Sequence, residues 1–190
     1  LTLNAPGTIR VGDASAAGAA YTATIASVIA GSGGIDKTDL GTLVLTGANS
    51  YTGGTRISGG TLAVGSDGAL GAASGTLTLA GGTLRADGAF TTTRAVSVSA
   101  AGGTIDTQAN TVSLGGTLSG SGALTRRGSG TLRIAGDGSA YTGMLTSAGG
   151  TLAVDGNLGG DLVSQGTALT VGGTVAGNVM IAEGTTTIAE

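Results

Sequence analysis

The feature that most constrains this chain is a phrase of strand and turn residues that occurs twice. The first copy, GTLVLTGANSYTGGTRISGGTLAV, begins at Gly41, and the second, GTLRIAGDGSAYTGMLTSAGGTLAV, begins at Gly130. The second copy contains one additional loop residue. With a duplicated lead-in, the copies span residues 29–65 and 118–154. Internal repetition of this kind indicates an architecture in which stacked units share one continuous core.

Shorter echoes of the Gly-Thr-aliphatic phrase recur with the period of a solenoid. After Gly41 they begin at Gly60, Gly82 and Gly103. This even spacing corresponds to the repeat of roughly 20 residues that is typical of solenoid proteins. Alternating Thr, Val, Leu and Ile, separated by Gly, Asn, Asp and Ser, indicate strands and turns, and no window shows a sustained helical pattern.

Comparison of the two copies predicts which side chains face the core. In Leu43-Val44-Leu45 and Leu132-Arg133-Ile134 the outer positions stay apolar while the middle position accepts arginine, so the middle residue points outward. The predicted core and turn residues of the repeats are Leu43, Leu45, Tyr51, Gly53, Leu62, Val64, Leu132, Ile134, Tyr141, Leu152 and Val154. The same alternation predicts buried pairs at Ile9/Val11, Leu77/Leu79, Leu84/Ala86, Val96/Val98, Val112/Leu114, Leu169/Val171 and Val179/Ile181.

These patterns predict an all-β fold, a right-handed single-stranded parallel β-helix of about nine coils spaced ~4.8 Å apart. One coil buries too few aliphatic side chains to offset the cost of ordering its backbone, so the coils must stack. We expect residues 1–190 to form one β-helical fragment. The chain contains 40 Gly, but it lacks the Gly-X-Y period of collagen, and only 10% of its residues are charged, which argues against disorder.

Composition also excludes several classes of function. The chain has no Cys and no His, so thiol catalysis, a Ser-His-Asp site and ordinary zinc sites cannot be built from its residues. Its formal net charge is −3, and among eight basic residues only Arg126 and Arg127 are adjacent. Nucleic-acid binding needs clustered positive charge, so we expect no such partner. We also expect no cofactor, no metal ion, no enzymatic activity and no transmembrane segment within these residues.

Several side chains allow a structural and a functional interpretation. Tyr51 and Tyr141 follow turn residues at matched positions, so they either pack over a coil corner or stack on a sugar. Asn49 is interpreted as a turn ladder or a cap. Asp36 and Asp39 are the closest acidic pair, and paired carboxylates serve acid–base catalysis or Ca²⁺ binding in pectin-cleaving β-helices. A spacing of three puts these two on opposite strand faces, so we interpret them, with Lys37, as a solvated corner.

Threonine and arginine patterns also allow two interpretations. Runs at 91–93 and 185–187 raise the possibility of ice binding, which needs a flat outward rank of threonines on successive coils. The outward middle positions are Arg, Val, Ala and Ser, which favours ordinary strand threonines. Arg10, Arg85 and Arg133 are predicted to point outward, where charges limit non-specific sheet pairing. A heparin-like patch would require them to lie in one row.

Residues 29–65 resemble the passenger-associated transport repeat, or autotransporter-associated β-strand repeat, of autotransporters, the type V secreted proteins of Gram-negative bacteria. The family pattern includes K-x-G-x-G-T-L-x-L-x-G-x-N-x-Y-x-G-x-T-x-I-x-x-G-T-L. The first copy departs from it at Asp39-Leu40, where a Gly is usual, and the second has Arg126 in place of Lys and lacks the Asn. The matching positions of the first copy are Lys37, Gly41, Thr42, Leu43, Leu45, Gly47, Asn49, Tyr51, Gly53, Thr55, Ile57, Gly60, Thr61 and Leu62.

This resemblance implies a parent with a cleaved signal, a right-handed β-helical passenger and a C-terminal translocator barrel. The passenger would cross the outer membrane unfolded, fold outside, and be secreted or stay at the cell surface. Residues 157–188 look like the short coils that often close the stem of a passenger. The leading hypothesis is a non-catalytic stem that supports translocation and folding, with the barrel of the same polypeptide as its partner. The alternatives are an adhesive or self-associating surface for aggregation or host attachment, and the stalk of a larger secreted protease or other enzyme.

Overall fold

The structure, a computed structural model, describes residues 1–188 and shows a parallel β-solenoid of about eight turns, close to the nine predicted. One turn is called a coil below. Two 3₁₀ helices, Ala16–Ala20 and Asp67–Leu70, lie between strands of the first coils. In chain order the strands are β1 (Gly7–Arg10), β2 (Thr22–Ile25), β3 (Ile35–Thr38), β4 (Thr42–Leu45), β5 (Thr55–Ile57), β6 (Thr61–Val64), β7 (Leu77–Leu79), β8 (Thr83–Ala86), β9 (Phe90–Thr92), β10 (Val96–Val98), β11 (Gly103–Asp106), β12 (Thr111–Leu114), β13 (Leu118–Gly120), β14 (Leu124–Arg127), β15 (Thr131–Ile134), β16 (Asp137–Gly138), β17 (Met144–Ala148), β18 (Thr151–Val154), β19 (Asn157–Leu158), β20 (Asp161–Gln165), β21 (Thr167–Val171), β22 (Thr174–Val175), β23 (Val179–Ile181) and β24 (Gly184–Ile188).

Strands of successive coils pair in parallel to form three long faces. Face A contains β1, β3, β5, β7, β10 and β13, and face C contains β9, β12, β15, β18, β21 and β24. Face B is the longest, with β2, β4, β6, β8, β11, β14, β17, β20 and β23. A short sheet of β16, β19 and β22 follows face A, and Tyr141 makes a parallel bridge to Gly120 at the end of β13. Apart from the first strand of each sheet, every strand therefore pairs with a strand of the preceding coil.

The register on face B gives the length of each coil. Thr42 pairs with Thr61 of the next coil, and further along the chain Thr125 pairs with Thr146. Both pairings agree with the period of roughly 20 residues expected of a solenoid. Val163 pairs with Met180, so the coils in the last part of the chain are shorter than those before them. The shortening coincides with the two-residue strands β19 and β22.

The core is a column of aliphatic side chains along the solenoid axis. The ten predicted core side chains of the repeats are no more than 1% exposed. The alternation also holds at Leu77/Leu79, Leu84/Ala86, Val96/Val98, Val112/Leu114 and Leu169/Val171, all of which are buried, whereas Ile9 is half-buried beside buried Val11. One predicted pair is wrong: Val179 and Ile181 are 45% and 46% exposed. They continue the inward columns of Leu162 and Ser164, but within residues 1–188 no further strand pairs with β23 to cover them.

Glycines let neighbouring coils approach each other closely. Gly60 adopts φ +57°, and a Cβ there would lie 2.4 Å from the carbonyl oxygens of Asp39 and Gly41. The predicted turn residue Gly53 has no left-handed backbone. A Cβ on it would nevertheless lie 2.4 Å from the backbone nitrogen of Gly34 in the preceding coil. A larger residue at either position would force the coils apart.

The two repeat copies lie on different faces of the solenoid. Strands β3, β4, β5 and β6 of the first copy belong to faces A, B, A and B. Their equivalents β14, β15, β17 and β18 belong to faces B, C, B and C. From Gly41 to Gly130 the chain therefore winds through a whole number of coils and then one further face. The repeat winds through more than one full coil and passes the same corner twice, and it is not tied to one side of the solenoid.

Candidate functional site

A buried cation marks the corner between the first two strands of each repeat copy. Lys37 is fully buried, and its Nζ donates hydrogen bonds to the carbonyl oxygens of Thr38 at 2.6 Å, Asp39 at 2.9 Å and Gly59 at 3.3 Å. Burial lowers the pKa of Lys37, and the nearby Asp39 carboxylate opposes this shift. The interpretation of Lys37 as part of a solvated corner is therefore wrong. The ammonium group satisfies carbonyls that the tight turn leaves without partners.

Arg126 performs the equivalent task in the second copy. Its side chain is fully buried, with Nη1 donating to the Gly149 carbonyl, and Nη2 to the Gly130 carbonyl and, at 3.1 Å, to Thr107 Oγ1. Burial lowers the pKa of Arg126, while Asp106 raises it. In both copies the cation bonds a carbonyl of the following coil, Gly59 or Gly149. Each cation therefore links two coils and closes a corner.

Arg94 is a third buried cation, and it lies at the corner that leads from face C to face A. Its guanidinium group fastens the loop that contains the second 3₁₀ helix, Asp67–Leu70. Nε donates to Asp67 Oδ1 at 2.8 Å, and this is the shortest contact of the group. The other contacts to the loop are hydrogen bonds of 3.0 to 3.2 Å to the carbonyls of Asp67, Leu70, Gly71, Ala72 and Gly75.

The matched tyrosines belong to the interior. Tyr51 and Tyr141 are both fully buried, so the sugar-stacking interpretation is wrong and the packing interpretation is confirmed. The Tyr51 hydroxyl bonds Thr55 Oγ1 at 2.6 Å. The Tyr141 hydroxyl donates to the Gly122 and Met144 carbonyls and accepts from the Leu124 backbone. Each ring thus fills the core under its loop while its hydroxyl satisfies neighbouring polar groups.

Asn49 connects three coils, as expected of a cap. Its Oδ1 accepts from the Ile29 backbone at 2.8 Å, and its Nδ2 donates to the Ala69 carbonyl at 2.6 Å. One partner lies a coil before Asn49 and the other a coil after it. Since the second copy lacks this Asn, the connection belongs to the first copy alone.

Tyr141 is expected to make the stability of the fold depend on pH above about 10. Burial raises its pKa from 10.0 to about 12, so its stabilising contribution is complete below the pKa of the unfolded chain and is lost as the pH rises from about 10 to 12. Urea denaturation measured across this pH range should show the decline. Tyr141→Phe should flatten it, although burial also raises the pKa of Tyr51 and leaves a residual slope. Tyr21→Phe, at an exposed ring, is the control, and an unchanged slope in Tyr141→Phe would contradict this assignment.

The exposed arginines do not form a row. Arg10, Arg85 and Arg133 lie on faces A, B and C respectively, so the condition for a heparin-like patch is not met. Each pairs with a carboxylate: Asp39, Asp87 or Asp155. Arg56 and Arg127 pair with Asp36 and Asp106 in the same manner. The pairs leave little net positive charge on the outer surface.

Acidic side chains do not gather into a site within the described part of the chain. Asp36 and Asp39 bond to separate arginines, Arg56 and Arg10. Across residues 1–188 no group of three or more His, Cys, Asp or Glu side chains could hold a metal ion. The same residues contain no helix that is long and apolar enough to cross a membrane.

Comparison with known proteins identifies the repeats. The passenger-associated-transport-repeat family matches residues 35–64 and 124–154, which correspond to β3–β6 and β14–β18. Over 67 residues the chain is 67% identical to a protein named adhesin BmaC autotransporter from Brucella suis biovar 1 (strain 1330). That stretch is 35% of this chain and 2% of the relative. No solved structure matches. The resemblance to an autotransporter passenger with these repeats is confirmed.

Proposed function

Starting from a β-solenoid that carries two passenger-associated-transport repeats, we propose that this segment is a non-catalytic stem of an autotransporter passenger. The observation that carries the proposal is a continuous aliphatic core together with buried polar side chains whose hydrogen bonds close the corners of the coils. Lys37, Arg94, Arg126, Tyr51 and Tyr141 are all buried, and each has at least one polar atom that bonds the backbone or a neighbouring side chain of the solenoid. These groups act through the free energy of folding and not through bound substrate.

The stem would act by making folding outside the cell directional. Each coil pairs its backbone with an existing coil and extends the core column, so a folded coil lowers the cost of ordering its neighbour. Lys37 and Arg126 strengthen this coupling because each bonds a carbonyl of the following coil. Segments that fold outside the outer membrane cannot slide back through a narrow pore. The translocator barrel of the same polypeptide would be the partner, and the cell surface the location.

In-frame deletion of residues 1–190 from the parent protein tests this proposal. We expect the passenger to be lost from the surface or degraded, measured by protease shaving of intact cells. Immunoblots of whole cells, with an antibody to a retained part of the parent, serve as the control for synthesis. Normal display of the shortened passenger would contradict the stem function.

An adhesive surface is the second candidate, and the name of the Brucella suis relative favours it. The deletion strain separates the two functions. Loss of cell clumping or host-cell attachment with normal display would assign the segment to adhesion. Loss of display itself would assign it to translocation and folding.

A further inference from the structure

Face B carries a rank of threonines that sequence patterns did not reveal. Six consecutive coils place Thr42, Thr61, Thr83, Thr104, Thr125 and Thr146 in direct register. Thr22 on β2 extends the rank to a seventh coil. Thr42, Thr61, Thr83 and Thr104 belong to the Gly-Thr-aliphatic phrase, and all six threonines stand in the outward position before a buried residue. The outward middle positions considered above for ice binding, such as Val44 and Arg85, form a different column, two residues after these threonines.

The hydroxyl groups of this rank remain available to a partner. Thr22 is exposed, and the other six side chains are partly exposed. In residues 1–188 the threonine hydroxyls that hydrogen-bond within the protein belong to Thr55, Thr92, Thr107 and Thr167, none of which is in the rank. The rank is therefore a column of donors and acceptors repeated at the spacing of the coils, ~4.8 Å.

A column of charged side chains beside the threonines has balanced charge and makes the surface of face B uneven. Arg85, Asp106 and Arg127 follow one another in register beside the threonines. Arg85 pairs with Asp87, and Arg127 pairs with Asp106, so the charges cancel locally. When a face packs against an identical face, a surface with a net charge repels its copy, whereas a surface with balanced charges does not. The arginine side chains project from face B, so the face is not flat, as ice binding would require it to be.

We propose that face B docks against face B of a second copy of this chain. A second copy repeats at the same coil spacing, so hydroxyls can face hydroxyls along the whole rank without drifting out of register. Seven coils span about 29 Å, and a four-residue strand spans about 13 Å, which gives a contact near 400 Å² per partner. That is about half of a standard stable interface, so the association is weak and reversible, and many copies on one surface would reinforce it.

Disulfide trapping tests the contact, because the chain has no Cys and every variant carries a single thiol. Thr42→Cys, Thr83→Cys and Thr125→Cys sample face B. Thr111→Cys, Thr131→Cys and Thr151→Cys are matched controls at the same strand position on face C. Under mild oxidation we expect at least one face B variant to form a covalent dimer tenfold faster than every face C variant. Equal rates on the two faces would overturn the proposal.

Sedimentation velocity over a concentration series provides the second measurement. We expect the chain to dimerise in the high micromolar range or above, and Thr61→Lys/Thr104→Lys to weaken dimerisation at least tenfold. The control Thr111→Lys/Thr151→Lys places two lysines equally far apart on face C and should change the dissociation constant less than twofold. Circular dichroism and thermal unfolding verify that both variants fold. A chain that stays monomeric at millimolar concentration, or equal weakening by both pairs, as end-to-end stacking would produce, overturns the proposal. Neither result bears on the stem function, which does not require a second copy.

Discussion

Leu43→Asp is expected to unfold the coils around it and to abolish surface display of the parent passenger. Leu43 is fully buried and stacks between Ala23 and Leu62 of the adjacent coils. Truncation of a buried leucine costs about 2–5 kcal/mol through lost burial and a cavity, and a carboxylate with no partner adds a desolvation penalty of several more. Leu132→Asp, between Val112 and Leu152, should behave in the same way in the second copy.

Denaturant unfolding of the purified chain and protease shaving of intact cells would measure the two effects. Val44→Asp is the matched control, since it puts the same carboxylate on the same strand but on the outward face. It should cost less than about 1 kcal/mol and leave display intact, as is usual for surface substitutions. Normal display and stability in both leucine variants would show that the core column does not drive translocation.

Arg94→Ala is expected to release the loop around Asp67–Leu70 and to destabilise the chain by about 3–5 kcal/mol, the usual loss when one partner of a buried ion pair is removed. The substitution removes the Arg94 donor from five carbonyl groups of the loop and from the Asp67 carboxylate. The Leu70 and Ala72 carbonyls keep Thr55 Oγ1 and the Gly75 backbone as donors, so the loss falls on the other groups. Unpaired buried polar groups cost about 1–3 kcal/mol each before the loop rearranges, so the loop should open to water instead of remaining closed.

Limited proteolysis and hydrogen exchange would locate this opening, and urea denaturation would give its free energy. Arg133→Ala is the control, because Arg133 also pairs with an aspartate but is 54% exposed. It should change stability by no more than about 1 kcal/mol, as other exposed ion pairs do. Equal losses in the two variants, or an unchanged cleavage pattern in Arg94→Ala, would refute the role assigned to the buried guanidinium group.

Strand alternation and repeat spacing predicted the solenoid because both follow from short-range geometry. Leu43/Leu45 and Leu132/Ile134 face the core, since side chains alternate across a strand and the inward positions of this strand stay aliphatic in both copies while the outward Val44 becomes Arg133. The same alternation places Lys37 on the inward side of its strand with Ile35. Lysine is rarely buried in proteins, however, so the residue type favours the interpretation that Lys37 is solvated. The carbonyls that hold it come from a turn and from the next coil, and no local pattern shows their positions.

The shift of the second repeat and the threonine rank could not be predicted, because both depend on the lengths of several consecutive coils. The shift of the second repeat by one face follows from the lengths of all intervening loops, including the long one that Arg94 fastens. The rank from Thr42 to Thr146 requires registers across six coils whose lengths are not all equal. The exposure of Val179 reflects its place in the last strand of face B and not its own sequence.

The shift of the repeat from one face to the next has a consequence for how such arrays can grow. A segment that closes the corner from face A to face B in one copy and the corner from face B to face C in the other can be duplicated at either position without disturbing the core column. Its variable outward residues, such as Val44 in one copy and Arg133 in the other, then point in different directions. Successive duplications would therefore place new outward residues on successive faces of the solenoid, while the interior stayed the same.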